Sequence, residues 1–278
     1  MDMIAMRFPG GLGKAFTTSY DDGVQQDVRL ISIMRKNGIK GTFNLNSGCF
    51  APEGTVYPKG QVHRRMSLSE CLEAYKGDDI EVAVHAYTHP FLEKLPVSEC
   101  VLEIVKDRQT LEEKFGGFVR GGAYPYGTFN DNVVNVLDAC GIKYCRTVIS
   151  THAFNMPKDW LRLEATCHHN DDKLNALGDE FIAKKVDRDP LMFYLWGHSY
   201  EFEGNDNWDV IEGFLAKIGG KSDIWYATNI EIYDYTRAFE RLVFSCDGKR
   251  VYNPSVTEVW FEANRKLYNV PAGQTIEI

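Results

Sequence analysis

The sequence predicts an α/β fold, a (β/α) barrel of seven or eight parallel strands with a small β appendage at its C-terminal end. Three observations carry that expectation. Short apolar runs alternate with stretches of helical period over residues 1–240. The residues able to do chemistry recur where the apolar runs end, which is where parallel α/β folds gather their βα loops. From about residue 241 the helical period stops. Repeated strand–helix units place helices on the faces of a parallel sheet, and a chain of 278 residues is long enough to close that sheet into a barrel. An open doubly wound sheet is the alternative.

The elements follow in order. Residues 14–19 (KAFTTS) read as a strand running into Tyr20–Gly23. Residues 27–37 have helical spacing and stop at Gly38, a residue that tolerates the left-handed conformation after a helix. Residues 41–46 (GTFNLN) form the next strand, and the helix over 67–75 opens with Ser67 and Glu70 in capping-box register. A strand over 80–85 (IEVAVH) precedes a long helix over 98–115, ended by Gly116 and Gly117. Strands over 119–124, 144–148, 161–165, 191–196 and 224–227 alternate with helices over 130–140, 172–185, 207–218 and 229–239. The appendage, residues 241–278, contains short strand-like pieces broken by Asp247–Gly248, Asn253–Pro254 and Pro271–Gly273. No internal repeat is present.

Composition narrows the function. The net charge is −8, from 31 basic and 39 acidic residues without a long run of either sign. A nucleic-acid backbone or an anionic membrane surface would require a concentrated basic face, so neither is expected as partner. The seven cysteines include no C-x-x-C pair, and most sit in apolar company as reduced thiols. The first residues hold no apolar run of signal-peptide length, and nothing approaches a membrane span, so a cytoplasmic location is expected.

Four segments can carry chemistry: Asp21-Asp22-Gly23, His85 to Pro90, Tyr124 to Gly127, and Gly197-His198. An isolated Asp-Asp-Gly is ordinarily a turn or helix cap, but here it ends the first strand. His85 ends a buried-looking strand and His89 follows four residues on, a spacing that lets two imidazoles ligate one ion. Ala86 stands where a zinc protease of the H-E-x-x-H type has its glutamate, which argues against that chemistry. One carboxylate, Asp22, with the imidazoles of His85 and His89 suits Zn²⁺ or another borderline divalent ion (Co, Ni or Mn) acting as a Lewis acid. Asp21 beside it is placed to take a proton, and His198 titrates in the range of a general acid. Hydrolysis of an amide or ester follows from these parts.

The segments AFTTSYDDG, VHAYTHP, AYPYGTFND and YLWGHS resemble, in order, the motifs of the polysaccharide deacetylases, carbohydrate esterase family four. The resemblance spans residues 14 to about 239 and implies a distorted (β/α) barrel. It implies Asp21 as catalytic base, Asp22, His85 and His89 as metal ligands, and His198 as general acid. It further implies that the backbone around Tyr124, Pro125 and Tyr126 helps bind the oxyanion, that Trp160 of Asp159-Trp160 walls the acetyl pocket, and that Trp196 lies beside the substrate. Two departures stand out. Ala86 replaces a hydroxyl residue. The third motif reads Ala123-Tyr124-Pro125-Tyr126-Gly127 in place of R-P-P-Y-G, so the arginine that pairs with the catalytic aspartate is missing; Arg120 is the nearest, and loss of the pair is expected to raise the Asp21 pKa. Tyr200, Phe202 and Trp208 offer rings for stacking on a sugar, and Glu201 and Glu203 are placed to orient His198 or contact substrate. His168-His169 with Asp171-Asp172 reads as a solvated loop, with lining of the substrate groove as the alternative, and His63 and His152 have no evident partner. The expected reaction is removal of acetyl groups from N-acetylated amino sugars or short oligosaccharides. An O-acetyl esterase, a hydrolase of small amides and a non-catalytic carbohydrate-binding barrel are the alternatives.

Overall fold

The strand–helix alternation is realised in the computed structural model, which describes residues 4–278. The strands of this region are β1 (Ile4–Arg7), β2 (Lys14–Asp21), β3 (Gly41–Leu45), β4 (Ile80–Val84), β5 (Gly121–Ala123), β6 (Tyr144–Ser150), β7 (Leu163–Ala165), β8 (Cys167–His168), β9 (Leu191–Gly197) and β10 (Ile224–Tyr226). The helices are α1 (Asp27–Lys36), α2 (Leu68–Ala74), α3 (Val97–Phe115), α4 (Asp131–Ala139), α5 (Leu174–Ala183), α6 (Tyr200–Gly204), α7 (Trp208–Ile218) and α8 (Asn229–Glu240). Their ends follow the expected chemistry. Ser67 and Glu70 form a reciprocal capping box on α2, as do Thr228 and Glu231 on α8, and the Asn130 side chain accepts from Val133 N–H at the start of α4.

The central sheet runs β7-β6-β5-β4-β3-β2-β9-β8 with every pair parallel. Only Thr166 separates β7 from β8, so the run 163–168 lies against two strands at once. Leu163 stands opposite Arg146 of β6, and His168 opposite Trp196 of β9. Thr166 N–H donates to Tyr194 O, and Thr166 O accepts from His152 N–H. This segment closes the sheet on itself, which yields the barrel and not the open sheet. Of the nine strands, β7 and β8 count as one run and β10 lies outside the ring, beside the first half of β2, leaving seven in the ring. A register shift between Arg146 and Ser150 distorts the closure.

Two strands begin later than the sequence suggests, each because a side chain removes a backbone group from the ladder. Leu161 falls in a short 3-10 turn: Asp159 accepts its N–H and the Tyr124 hydroxyl donates to its carbonyl. Val119 N–H is taken by Glu112, so β5 begins only at Gly121.

Alternation along the strands sorts residues between two environments. Phe16, Tyr20, Phe43 and Leu45 face the helices in the largest apolar cluster. Thr17, Ser19, Asp21, Thr42 and Asn44 are buried polar residues joined by hydrogen bonds. The Thr17 hydroxyl donates to Asn229 Oδ1 at 2.8 Å, Asn229 Nδ2 to Tyr194 OH at 2.7 Å, and Asn44 Nδ2 to Ser19 Oγ at 2.7 Å. Thr42 and Tyr144 hydroxyls both donate to the half-buried Glu81.

The remaining strands are β11 (Val243–Phe244), β12 (Arg250–Tyr252), β13 (Val259–Ala263), β14 (Lys266–Val270) and β15 (Thr275–Glu277). They form two antiparallel three-stranded sheets, β11-β12-β15 and β1-β13-β14, the latter drawing β1 from the start of the chain. Val251, Val259, Phe261 and Val270 make their core with Ala238 of α8. Tyr235 OH ties α8 to both ends of the chain, donating to Arg7 O and accepting from Trp260 N–H.

One close approach tests the packing. A Cβ on Gly121 would sit 2.0 Å from Cζ of Tyr144, whose hydroxyl is fixed by Glu81. Gly121→Ala is expected to cost about 1–3 kcal/mol through overpacking. Thermal denaturation should show a Tm lowered by several degrees, and an unchanged Tm would mean the ring moves freely.

Candidate active site and metal centre

The C-terminal ends of β2, β4 and β9 and the loop after β5 converge on a cavity of about 450 Å³ lined by Asp21, Asp22, His63, Arg65, His85, His89, Tyr124, Tyr126, Gly127, Val148, Trp196, His198 and Tyr200. The sequence-predicted residues Asp21, Asp22, His85, His89, His198 and Trp196 are thus brought together. Oxygen and nitrogen atoms of Asp22, His85 and His89 all lie within 4.8 Å of one another.

Each ligand candidate is oriented by hydrogen bonds. His85 Nδ1 lies 2.8 Å from Ala123 O, a bond that puts the proton on Nδ1 and leaves the lone pair on Nε2. His85 N–H donates to Asp107 of α3, and Asn46 Nδ2 donates to the carbonyls of His85 and Ala86. Burial lowers the pKa of His85, and burial followed by the neighbouring His85 pushes that of His89 down to about 4, so both rings are neutral, as ligation requires. For Asp22, burial favours the protonated form, but His63, His85 and Arg65 outweigh it and hold the carboxyl well below its ordinary range. Arg65 Nη2 donates to Asp22 Oδ1 at 3.0 Å and Nη1 to Asp22 O at 2.8 Å; His63 Nε2 lies 3.2 Å from Oδ2.

Asp21 has the arginine that the third motif lacks. Arg146, from β6, donates Nη2–H to Asp21 Oδ2, while Asn44 Nδ2 donates to Oδ1 at 2.8 Å. Both charged partners are almost wholly buried. The expected rise in the Asp21 pKa is therefore corrected: burial pushes it up, but Arg146, then His85 and His198, more than offset this and lower it. Arg120 is not involved; its guanidinium forms a two-pronged pair with Asp234. Arg146 also lies over the Trp196 ring, 4.2 Å from its centroid.

His198 Nε2 is 3.7 Å from Asp21 Oδ2 and its Nδ1 is 3.2 Å from Glu201 Oε1. Burial favours the neutral ring, but Glu201, Asp21 and Asp22 raise its pKa overall. Glu203 faces elsewhere, paired with Arg64 and Gln26.

The aromatic expectations divide. Tyr126 is at the rim with positive φ, edge-on to His89 at 4.5 Å and stacked on Phe91 at 3.9 Å. Its N–H donates to no protein group among the described residues. Tyr124 turns its side chain away, stacking on Phe129 and donating to Leu161 O, and its N–H is taken by Arg146 O. Pro125 is buried in the turn between them. Trp160 does not reach the cavity, because the 3-10 turn that Asp159 caps directs it against Tyr233 and Arg237. The His168-His169 pair is not a solvated loop, since His169 is fully buried. His63 finds Asp22, and His152 finds Asp171 at 2.6 Å.

Residues 11–145 match the family model described as polysaccharide deacetylase. No curated protein matches the chain significantly in sequence. The barrel is similar to a putative polysaccharide deacetylase from Mycobacterium smegmatis, with 17% identity and a TM-score of 0.59 over 85% of this chain and 94% of that one. It is also similar to a family 4 carbohydrate esterase from Streptomyces lividans in complex with acetate, with 16% identity and a TM-score of 0.50 over 78% and 93% of the two chains. The Streptococcus pyogenes deacetylase PplD, in complex with acetate, aligns over 48% of this chain and 55% of its own, with 19% identity and a TM-score of 0.42; this chain thus spans about half the length of that protein. The matched segment carries Asp21, Asp22, His85 and His89 at the strand ends and following loops of a closed parallel barrel, and in this part the chain is similar to the polysaccharide deacetylases.

Proposed function

We propose that the protein is a metal-dependent hydrolase that removes acetyl groups from N-acetylated amino sugars or short oligosaccharides. The observation that carries this reading is the buried Asp21–Arg146 pair set beside Asp22, His85 and His89. A carboxylate and two neutral imidazoles are a donor set suited to zinc or a similar divalent ion. Held there, such an ion supplies Lewis-acid polarisation of the acyl carbonyl and lowers the pKa of water.

The chain's own groups supply the proton transfers. Asp21 is kept ionised by Arg146 and Asn44, ready to accept a proton at Oδ2. The Tyr126 N–H is free to donate to a developing oxyanion. His198 presents Nε2 to the same cavity with a raised pKa, so it can deliver a proton to a leaving amine. A complete acid–base pair supports turnover over a non-catalytic carbohydrate-binding barrel. The exposed face of Tyr126 and the neighbouring Tyr200 give a sugar ring surfaces to lie against.

The reading is tested by acetate release from chitooligosaccharides, with metal content measured on the same samples. His89→Ala is expected to lose both bound zinc and acetate release; release that persists undiminished would remove His89 from the ligand set. Asp21→Asn should keep the metal and lose about 10²–10⁴-fold in kcat, the usual worth of a positioned base. Arg146→Met leaves a buried carboxylate unpaired and should destabilise the fold by about 3–5 kcal/mol. The double variant Asp21→Asn, Arg146→Met should recover part of that loss in chemical denaturation. A loss in the double variant equal to the sum of the two single losses would show that the pair is not coupled.

A further inference from the structure

We infer that His168 and His169 act through Glu201 as positioning residues for His198, the four side chains forming one unit behind the cavity wall. The inference rests on the hydrolase reading for what His198 does, though not for how it is held.

Space at the end of β9 sets the arrangement. A Cβ on Gly197 would sit 2.0 Å from Nδ1 of His169 and 2.4 Å from its Cε1, so glycine between Trp196 and His198 is what lets the His169 ring lie across the strand end. That ring is stacked on Tyr20 with centroids 5.7 Å apart, and packs against Phe202 at 4.0 Å. Its Nε2 lies 2.9 Å from Glu201 Oε2, a close ion-pair contact without hydrogen-bond alignment, and its Nδ1 meets no protein partner. His168 Nε2 lies 3.3 Å from the same oxygen, and Asn170 Nδ2 donates to it at 3.0 Å. With Oε2 so surrounded, Oε1 is left for His198 Nδ1 at 3.2 Å. A glutamate on a five-residue helix would otherwise keep much of its rotamer freedom.

The proton positions follow from the backbone. Burial and the adjacent His169 push the His168 pKa down to about 3, so the ring is neutral and carries one N–H. Its Nδ1 accepts from Asn170 N–H at 3.1 Å, which places that proton on Nε2, toward the carboxylate. His168, His198 and Glu201 also have the mutual spacing of a metal site, with donor atoms within 4.8 Å of one another. A metal there would need the lone pair of His168 Nε2, and moving the proton to Nδ1 would set N–H against N–H at Asn170. The geometry therefore points to close N–H-to-carboxylate contacts on Glu201 and not to a second ion. Held in this way, His198 carries its fixed proton on Nδ1 and turns Nε2 to the cavity.

The test uses the full-length zinc-loaded protein labelled with ¹⁵N-histidine. Wild type should give the spectrum of an Nδ1–H ring at His198. His169→Phe keeps an aromatic ring but offers the carboxylate no donor. It should disturb that signal and lower kcat about tenfold or more, within the span of acid–base effects, while KM and a single bound zinc stay unchanged. His169→Gln, which restores an N–H donor, should recover both the signal and most of kcat. His168→Leu reads the same unit from its more exposed side if Phe at 169 does not fold. A wild-type signal and wild-type kcat in His169→Phe and His168→Leu would overturn the inference. So would a second equivalent of zinc bound by wild type and lost in His168→Leu. Absence of hydrolysis in every protein, with the spectral change intact, would bring down the hydrolase reading and leave this one standing.

Discussion

Two opposite charges buried inside the barrel, Asp21 and Arg146, constrain the rest of the molecule. An isolated ionised group there would be far too costly, and removing either partner strands the other. The pair persists because each end is held: Asn44 occupies the second oxygen of Asp21, and the Arg146 guanidinium lies on the face of Trp196. It also spans the barrel. β2 and β6 are separated by β3, β4 and β5 around the ring, so the arginine reaches the aspartate only across the interior. In an open sheet the two strands would be far apart. Closure by the run 163–168 and ionisation of the candidate base are therefore parts of one arrangement, and the polar residues of β2 and β3 are inside because this pair needs polar company.

That arrangement separates what was legible in the sequence from what was not. Asp21, Asp22, His85, His89 and His198 follow strand ends, and their spacing along the chain already carries their meaning. Arg146 acts at a distance of 125 residues. Its one local signal is a charge inside the short run Tyr144 to Val148, where a strand buried on both faces has no place for an unpaired cation. Reading that signal in place of the motif position would have found the partner of Asp21. Trp160 shows the converse failure. The dipeptide Asp159-Trp160 looked like a motif, but the Asp159 carboxylate caps its own short turn and so decides where the indole points. β1 was not legible because four residues pair with a strand at the other end of the chain.

The backbone at the site carries strain that sequence patterns do not reveal. Of the eight non-glycine residues with positive φ among the described residues, Asp22, Ala86, His89 and Tyr126 are at this cavity or its loops. Each left-handed residue costs of order 1 kcal/mol or more and persists only where its surroundings over-determine it. The surroundings here are explicit. Asn46 holds the carbonyls of His85 and Ala86, Asp107 takes the N–H groups of His85 and Ser47, and Arg65 takes the carbonyl of Asp22. The loops that carry the ligand candidates are thus fixed by side chains from the residue after β3, from α3 and from the segment before α2, and the imidazoles need little reordering to meet an ion.

The segment before α2 shows how a stretch without regular structure becomes a wall of the site. Residues 50–66 have no helix or strand of their own, yet His63 and Arg65 both touch Asp22. They are held by α6. Arg64 forms a two-pronged pair with Glu203 at 2.6 and 2.7 Å, and Gln26 bonds both Glu203 and Val62 O. A single exposed ion pair would contribute little, but bidentate geometry with a shared third partner fixes direction as well as distance. The short helix therefore works on both sides. Glu201 turns to the histidines behind His198, Phe202 is buried in the core, and Glu203 turns outward to fasten the wall opposite. Two glutamates two residues apart, which the sequence offered as equivalents, are divided by helical geometry between the acid side of the site and the ligand side, and α6 couples the two.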